Sequence, residues 1–258
     1  MKTKILAAII AALVVLCVAA VTFLRAAYVV PVLMYHYIKQ GDVDNALVVT
    51  PENFARQMRF LKRYHYTVVS LDALVAMMKA HTKIPPGTIC ITFDDGIADN
   101  YEHAYPVLRE LGFPAAIFVY TSAIGAGDYL TREEMREMAD TGIEIGSHTK
   151  THYWLGSAGG DRAREEIAGS KTALEEITQK PVRFFSYPGG GFTKETRQMV
   201  IDAGYAGAVA TNPGRRYPSN DVYAMKRLRI SRSSDNLFVF WIETSGYYTW
   251  IKEHRDAD

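Results

Sequence analysis

The sequence is poor in cysteine, with two in 258 residues. Cys17 falls in an apolar N-terminal run and Cys90 in a predicted core strand, so the two are not expected to meet. No disulfide framework is therefore expected. Charge of one sign is also lacking. The net charge is +1, which offers no basic footprint for nucleic acid and no strongly acidic partner surface. No glycine-rich loop of dinucleotide or P-loop spacing occurs, so nucleotide binding is not expected either. Internal repeats, low-complexity tracts and linkers are absent, which leaves one domain of enzyme size. Hydrophobic residues make up 48% and charged residues 22%, ordinary values for a chain that buries a full core.

Long apolar runs are scarce as well, apart from the one at the N-terminus. Met1-Lys2-Thr3-Lys4 is a positive leader, and no residue from Ile5 to Leu24 is charged. About 20 apolar residues cross the hydrocarbon core as a helix. Lys2 and Lys4 should stay inside, which places the bulk of the chain outside the cytoplasm. Residues 1–27 are thus expected to be a signal anchor, with residues 28–258 as the catalytic domain. The alternative is a cleaved signal peptide, with Val18-Ala19-Ala20 as the small-residue site and a secreted or periplasmic product. A lipidated Cys17 is set aside because Leu16 suits that signal poorly.

Beyond Arg25, strand and helix signals alternate. Strands are predicted at Val29 to Met34, Tyr66 to Val69, Thr88 to Phe93, Ala115 to Tyr120, Ile143 to Gly146, Phe184 to Tyr187, Ala206 to Ala210 and Met225 to Ile230. Helices fall between them. Thr50-Pro51-Glu52 opens one, and Thr131 with Glu134 makes a capping box for another. One helix is expected over Asn100 to Leu111, and a last one over Asp235 to Thr244. Such alternation predicts an α/β fold with a parallel sheet covered by helices. A distorted (β/α) barrel of about seven to eight parallel strands leads, and an open doubly wound sheet is second.

In a parallel barrel the reactive residues gather where strands end. The first predicted strand ends in Tyr35-His36, and the third in Asp94-Asp95-Gly96. The fifth ends in His148-Thr149-Lys150-Thr151-His152, and the sixth in Tyr187-Pro188-Gly189-Gly190. Two acids and three histidines therefore converge on one face. On a helical turn, His148 and His152 would present both imidazoles to one divalent ion. One of the adjacent acids can complete the site while the other addresses water. Two histidines and a carboxylate suit zinc, and also iron or cobalt. Each piece alone reads blandly: Asp-Asp-Gly as a turn, His-x-x-x-His as chance spacing, His36 as a core histidine. Their convergence argues for a site. His65, His81, His103 and His254 read as surface residues. Tyr35, Tyr37, Tyr153 and Trp154 either stack on sugar rings or pack in the core.

Thr92-Phe93-Asp94-Asp95-Gly96 followed by His148 to His152 resembles the first two motifs of the polysaccharide deacetylases, carbohydrate esterase family 4. The resemblance runs from about Val30 to Phe240. Pro31-Val32-Leu33-Met34-Tyr35-His36 and Tyr187-Pro188-Gly189-Gly190 look like the branch of exported poly-N-acetylglucosamine deacetylases. The resemblance implies a hydrolase that removes N-acetyl groups from an N-acetylglucosamine-containing polysaccharide in the cell envelope. Its partners would be the sugar polymer and, through the N-terminal run, the membrane. Asp94 matches the general base, and Asp95, His148 and His152 match the ligands of a divalent metal, zinc first and cobalt as an alternative. The Gly189 N–H matches the oxyanion donor, because Pro188 has none. The family's third motif normally carries an arginine that orients the base. That arginine is missing here, and Arg183 comes too early. The fourth motif has no match near Val209 to Asn212. The fifth normally supplies a histidine as general acid, and Arg227-Leu228-Arg229-Ile230-Ser231 has none. The branch resemblance puts His36 in the acid's place. Arg229 is the candidate for the missing arginine, with a surface or salt-bridged arginine as its plain alternative. Other readings are a peptidoglycan or lipid-linked amino-sugar deacetylase or deformylase, and a sugar-binding pseudoenzyme.

Overall fold

A computed structural model describes residues 2–41, 45–211 and 218–255. In chain order come α1 (Lys2–Ala27), β1 (Val32–Tyr35), β2 (Tyr37–Ile38), β3 (Val48–Val49), α2 (Pro51–Arg63), β4 (Thr67–Val68), α3 (Leu71–Lys79) and β5 (Thr88–Phe93). There follow α4 (Tyr105–Leu111), β6 (Ala116–Val119), α5 (Arg132–Asp140), β7 (Glu144–Ser147), α6 (Gly160–Thr178), β8 (Phe184–Ser186) and α7 (Lys194–Asp202). The last elements are β9 (Gly207–Ala210), β10 (Met225–Lys226), β11 (Leu228–Arg229), α8 (Leu237–Thr244) and α9 (Tyr248–Arg255).

The main sheet runs β10-β9-β8-β7-β6-β5-β1-β11, with β4 added on β5. Every pairing is parallel. β10 and β11 are two halves of one stretch that pairs with β9 on one side and with β1 on the other. That stretch closes the sheet into the expected distorted barrel, and the open doubly wound alternative falls away. The side chains alternate across the wall. Val32, Cys90, Ala116, Phe118, Phe184, Val209 and Met225 form the inner layer. Leu33, Ile91, Ile117 and Phe185 face the covering helices, where Phe54, Met58, Met135 and Ile167 meet them. Leu71, Leu74 and Val75 of α3 belong to the inner cluster and plug the floor of the barrel. Glu144 holds that plug by accepting from the Leu71 and Asp72 N–H groups at 2.8 and 3.0 Å, a carboxylate at a helix N-terminus.

Two local departures have physical causes. The helix expected from Asn100 opens instead as a π-helical turn over Asn100–Ala104, and α4 follows with Pro106 in its first turn. Pro106 has no N–H for an i→i−4 bond, so the wider turn absorbs the break. The closing helix begins at Leu237, after a 3-10 turn over Arg232–Asp235. The capping box at Thr131 and Glu134 is present. Cys17 is exposed and Cys90 buried, both as free thiols.

α1 forms over 26 residues, and its described side chains from Ile9 to Arg25 are exposed. Over the described residues, no helix is long and apolar enough to cross a membrane. The expected membrane segment therefore finds no support in the fold itself.

Candidate active site

The inner layer of the barrel changes character at its upper rim. Continuing the inward positions, Cys90 leads to Thr92 and Asp94, Phe184 to Ser186, and Met225 to Arg227. Gly146 leads likewise to His148, and Met34 to His36. The C-terminal strand ends thus deliver the polar residues that the sequence singled out onto one face.

Asp95 Oδ1 lies 3.6 Å from His148 Nε2 and 3.4 Å from His152 Nε2. The ligand atoms of the three residues all lie within 4.8 Å of one another. Among the described residues this is the one group of its kind, and its two nitrogens and one oxygen fit a divalent ion such as zinc. The histidines do not ride on a helical turn, contrary to expectation. They sit on a loop in which Thr149 (φ 69°) and His152 (φ 57°) are left-handed. Helical geometry would need no such residues; here the reversal at Thr149 turns the chain back. Asp95 is left-handed too, at φ 71°, which separates its direction from that of Asp94.

Buried groups outside the motifs hold the histidine loop. Glu166 of α6 accepts from the N–H groups of Lys150 and Thr151, both at 2.9 Å, and from the Thr151 hydroxyl at 2.7 Å. The Ser186 carbonyl accepts from His148 Nδ1 at 2.8 Å, which leaves Nε2 for the ion. Burial lowers the His148 pKa to about 4, with Asp94 opposing. Burial, joined by the neighbouring Asp94, raises Asp95 to about 6. A ligand must lose its proton to bind metal. Zinc affinity should therefore hold above pH ~6 and weaken roughly ten-fold per unit below it, as Asp95 takes a proton while His148 stays neutral. A competitive zinc titration across pH 5 to 8 checks this, and a flat profile would refute it.

The missing arginine is Arg227, not Arg229. Its guanidinium forks onto Asp94, Nη1 to Oδ1 at 2.7 Å and Nη2 to Oδ2 at 2.6 Å. It also donates to Ser186 Oγ at 2.9 Å, to Thr92 Oγ1 at 3.2 Å and to the Ala210 carbonyl at 3.2 Å. Arg229 is exposed, so its plain surface reading stands. Arg183 pairs with Asp72 at 2.9 Å, far from the rim. Burial pushes the Asp94 carboxyl up, but the Arg227 guanidinium outweighs it with help from His148 and His36, and the carboxyl sits well below its usual range. The clue to Arg227 was parity: it is two residues beyond the inward Met225. Its neighbourhood was visible in the sequence, but which strand position still lies inside the barrel was not.

His36 is half-buried and close enough to Asp94 and Asp95 to feel both. Burial lowers its pKa and the two acids raise it in part. Its Nδ1 is buried without a partner. Gly189 lies in the turn after β8 with φ 59°, and a Cβ there would come 2.9 Å from the Trp154 ring. Of the aromatic candidates, Tyr35 is core: it is fully buried and donates to Gln57 Oε1 at 2.8 Å. Tyr153 is half-buried under Arg162. Tyr37 lies near enough to Asp95 to be affected by its charge. Trp154 is 52% exposed and covers the Pro188–Gly191 turn. His65, His81 and His103 are exposed, as expected. The His254 side chain and Asn212, at the end of the unmatched fourth-motif stretch, lie outside the described residues.

Known proteins resemble this chain in sequence and fold. Residues 81–208 match the family model described as polysaccharide deacetylase. A Bacillus subtilis protein, YxkH, named provisionally as a polysaccharide deacetylase, is 35% identical over 215 residues, covering 83% of this chain and 76% of its own. The Staphylococcus epidermidis poly-beta-1,6-N-acetyl-D-glucosamine N-deacetylase is 24% identical over 229 residues, 78% of this chain and 79% of its own. The Streptococcus pyogenes deacetylase PplD, solved in complex with acetate, superposes with a TM-score of 0.75 at 27% identity, covering 82% of this chain and 97% of that one. Parallel barrel, rim acids, histidine pair and relatives agree, and the chain belongs to the polysaccharide deacetylase family, carbohydrate esterase family 4.

Proposed function

We propose that this protein is a divalent-metal-dependent hydrolase that removes N-acetyl groups from an N-acetylglucosamine-containing polysaccharide of the cell envelope. The observation that carries the reading is the metal-suited triad Asp95, His148 and His152 set beside the buried Asp94–Arg227 pair. A sugar-binding pseudoenzyme has no need of a buried carboxylate held ionised next to a metal site. The staphylococcal relative, named for poly-beta-1,6-N-acetyl-D-glucosamine, supports that substrate class.

Asp95, His148 and His152 would hold the ion, zinc or cobalt. A divalent ion there would lower the pKa of water toward ~7 and polarise the acetamide carbonyl. Asp94 takes the proton from the attacking water. Arg227 keeps it ionised and fixes its orientation. The Gly189 N–H donates to the oxyanion of the tetrahedral intermediate, an interaction typically worth ~3 kcal/mol. His36 donates a proton to the leaving amine. Acetate departs and a glucosamine unit remains. The exposed face of Trp154 offers a platform for a neighbouring ring.

His36→Ala is expected to lower kcat by roughly 10²-fold, the usual weight of a positioned acid, with metal content unchanged. Near-normal kcat would remove His36 from the mechanism.

The N-terminal run is proposed as a membrane anchor that keeps the catalytic domain outside the cytoplasm. Its uncharged stretch from Ile5 to Leu24 and the leading Lys2 and Lys4 support this. α1 leads into β1 at the floor of the barrel, while the triad lies at the opposite, C-terminal ends of the strands. That favours a polymer over a lipid-linked head group.

The test is acetate release from β-1,6- and β-1,4-linked N-acetylglucosamine oligomers, after chelation and after zinc or cobalt is restored. Metal-dependent release is expected. Metal-loaded protein that releases nothing from either would overturn the polysaccharide reading.

A further inference from the structure

One flank of the barrel carries large apolar side chains with no cover. Tyr64 after α2, and Phe238 and Trp241 of α8, are 59%, 64% and 51% exposed. Phe238 and Trp241 lie on one face, with ring centroids 5.8 Å apart. Beside them α2 presents Arg56, Arg59 and Arg63, all exposed, at the three- and four-residue spacing of one helical stripe. Arg56 donates to Asn53, and none of the three arginines is in an ion pair among the described residues. A hollow of about 880 Å³ separates the aromatics from the arginines, and no acidic side chain lines it. Phe60 connects the two helices at its base, packing on Tyr64 and on Phe240.

In water the bare aromatic faces make this surface unfavourable, and the hydrated guanidinium groups beside them leave positive charge without a protein counter-charge. A headgroup layer satisfies both, because aromatic rings settle at the lipid–water boundary and arginines pair with phosphate. The flank also lies near the root of α1. The Val29 N–H, just past α1, donates to the Gly246 carbonyl, just past α8, at 2.8 Å. Tyr28 packs edge-on against Tyr247, and Phe23 of α1 against Trp250. α2 ends at the same floor, where Tyr66 and Thr67 enter β4.

We propose that the α2–α8 flank rests on an anionic bilayer surface beside α1, with the triad turned away from the lipid. This extends the anchor reading above and is tested separately from it. The full chain is incorporated into vesicles of phosphatidylcholine, with or without phosphatidylglycerol, whose acyl chains are brominated to quench tryptophan. Trp154→Phe with Trp250→Phe leaves Trp241 as the emitter, and Trp241→Phe with Trp250→Phe leaves Trp154. Trp241 should shift to the blue and lose emission when phosphatidylglycerol is present, while Trp154 keeps its emission. Arg56→Gln, Arg59→Gln and Arg63→Gln should each cut the docked-to-undocked ratio by roughly five-fold. Trp241 that stays unquenched on chain floating with the vesicles after an alkaline wash overturns the docking and keeps the anchor. Quenching of Trp241 on chain that the wash strips off keeps the docking and overturns the anchor. Equal quenching of Trp154 and Trp241 overturns the proposed orientation.

Discussion

Asp94→Asn is expected to reduce turnover by at least 10²- to 10⁴-fold, roughly the range of a lost general base, while the metal stays bound. Asn cannot take a proton from water, and it offers Arg227 one oxygen where the carboxylate offers two. The triad consists of Asp95, His148 and His152, and both Asp94 carboxylate oxygens are taken up by Arg227. Zinc stoichiometry should therefore match that of the parent. The substitution also leaves a guanidinium buried with incomplete compensation, and Arg227 is fully buried. Some loss of thermal stability should accompany the loss of rate. Acetate release, zinc content and Tm, measured together, separate the outcomes. A variant that binds zinc, melts cooperatively and still turns over near the parental rate would remove Asp94 from the chemistry. A variant that loses zinc would show that the two adjacent acids do not divide their roles as proposed.

The fold was largely legible because its strands are buried on both faces and read as short apolar runs between helix signals. Thr88 to Phe93 is the clearest case, since all six of its residues are buried. Less legible was anything decided by tertiary closure. β10 and β11 read as one strand, and the sequence could not show that its two halves pair with opposite ends of the sheet. Arg227 sits at that seam, and the sequence pointed instead to the nearby Arg229. The triad was legible because its spacing follows motif chemistry, but the helical turn expected for it was wrong. The loop is held by Glu166, a residue of α6 that reads in the sequence as one more helix acid; its burial, at 6% exposure, comes from tertiary packing. Tyr35 carries the same lesson in reverse. It lies next to His36 in sequence, yet strand alternation turns it to the helix side, where it stacks with Phe93.

Arg227→Met should be the most damaging change for stability and should also suppress the rate. Removing one partner of a buried ion pair typically costs ~3–5 kcal/mol, because the other charge stays buried alone. Here Asp94 would lose both prongs of the fork, and Ser186 Oγ, Thr92 Oγ1 and the Ala210 carbonyl would each lose a donor. The pH dependence distinguishes a positioning role from general support. In the parent the folded Asp94 pKa lies below its unfolded value. The pair's stabilisation is therefore fully present above the ordinary carboxylate range and is lost as the pH falls from there through the lower folded pKa. Without Arg227 the burial that pushes the carboxyl up has its main opponent removed, so the folded pKa should rise above the unfolded one. The sign then reverses: Asp94 favours the folded state at low pH and opposes it as the pH rises. Thermal melts from pH 4 to 8 should show Arg227→Met losing more stability, relative to the parent, at the alkaline end. The base would also be protonated over more of the working range, so residual activity should move to higher pH. Arg227→Lys keeps the charge but not the fork, and should restore much of the stability with only part of the rate. A pH–rate profile unchanged in Arg227→Met would show that Asp94 needs no arginine to stay ionised, and the positioning role assigned to Arg227 would fail.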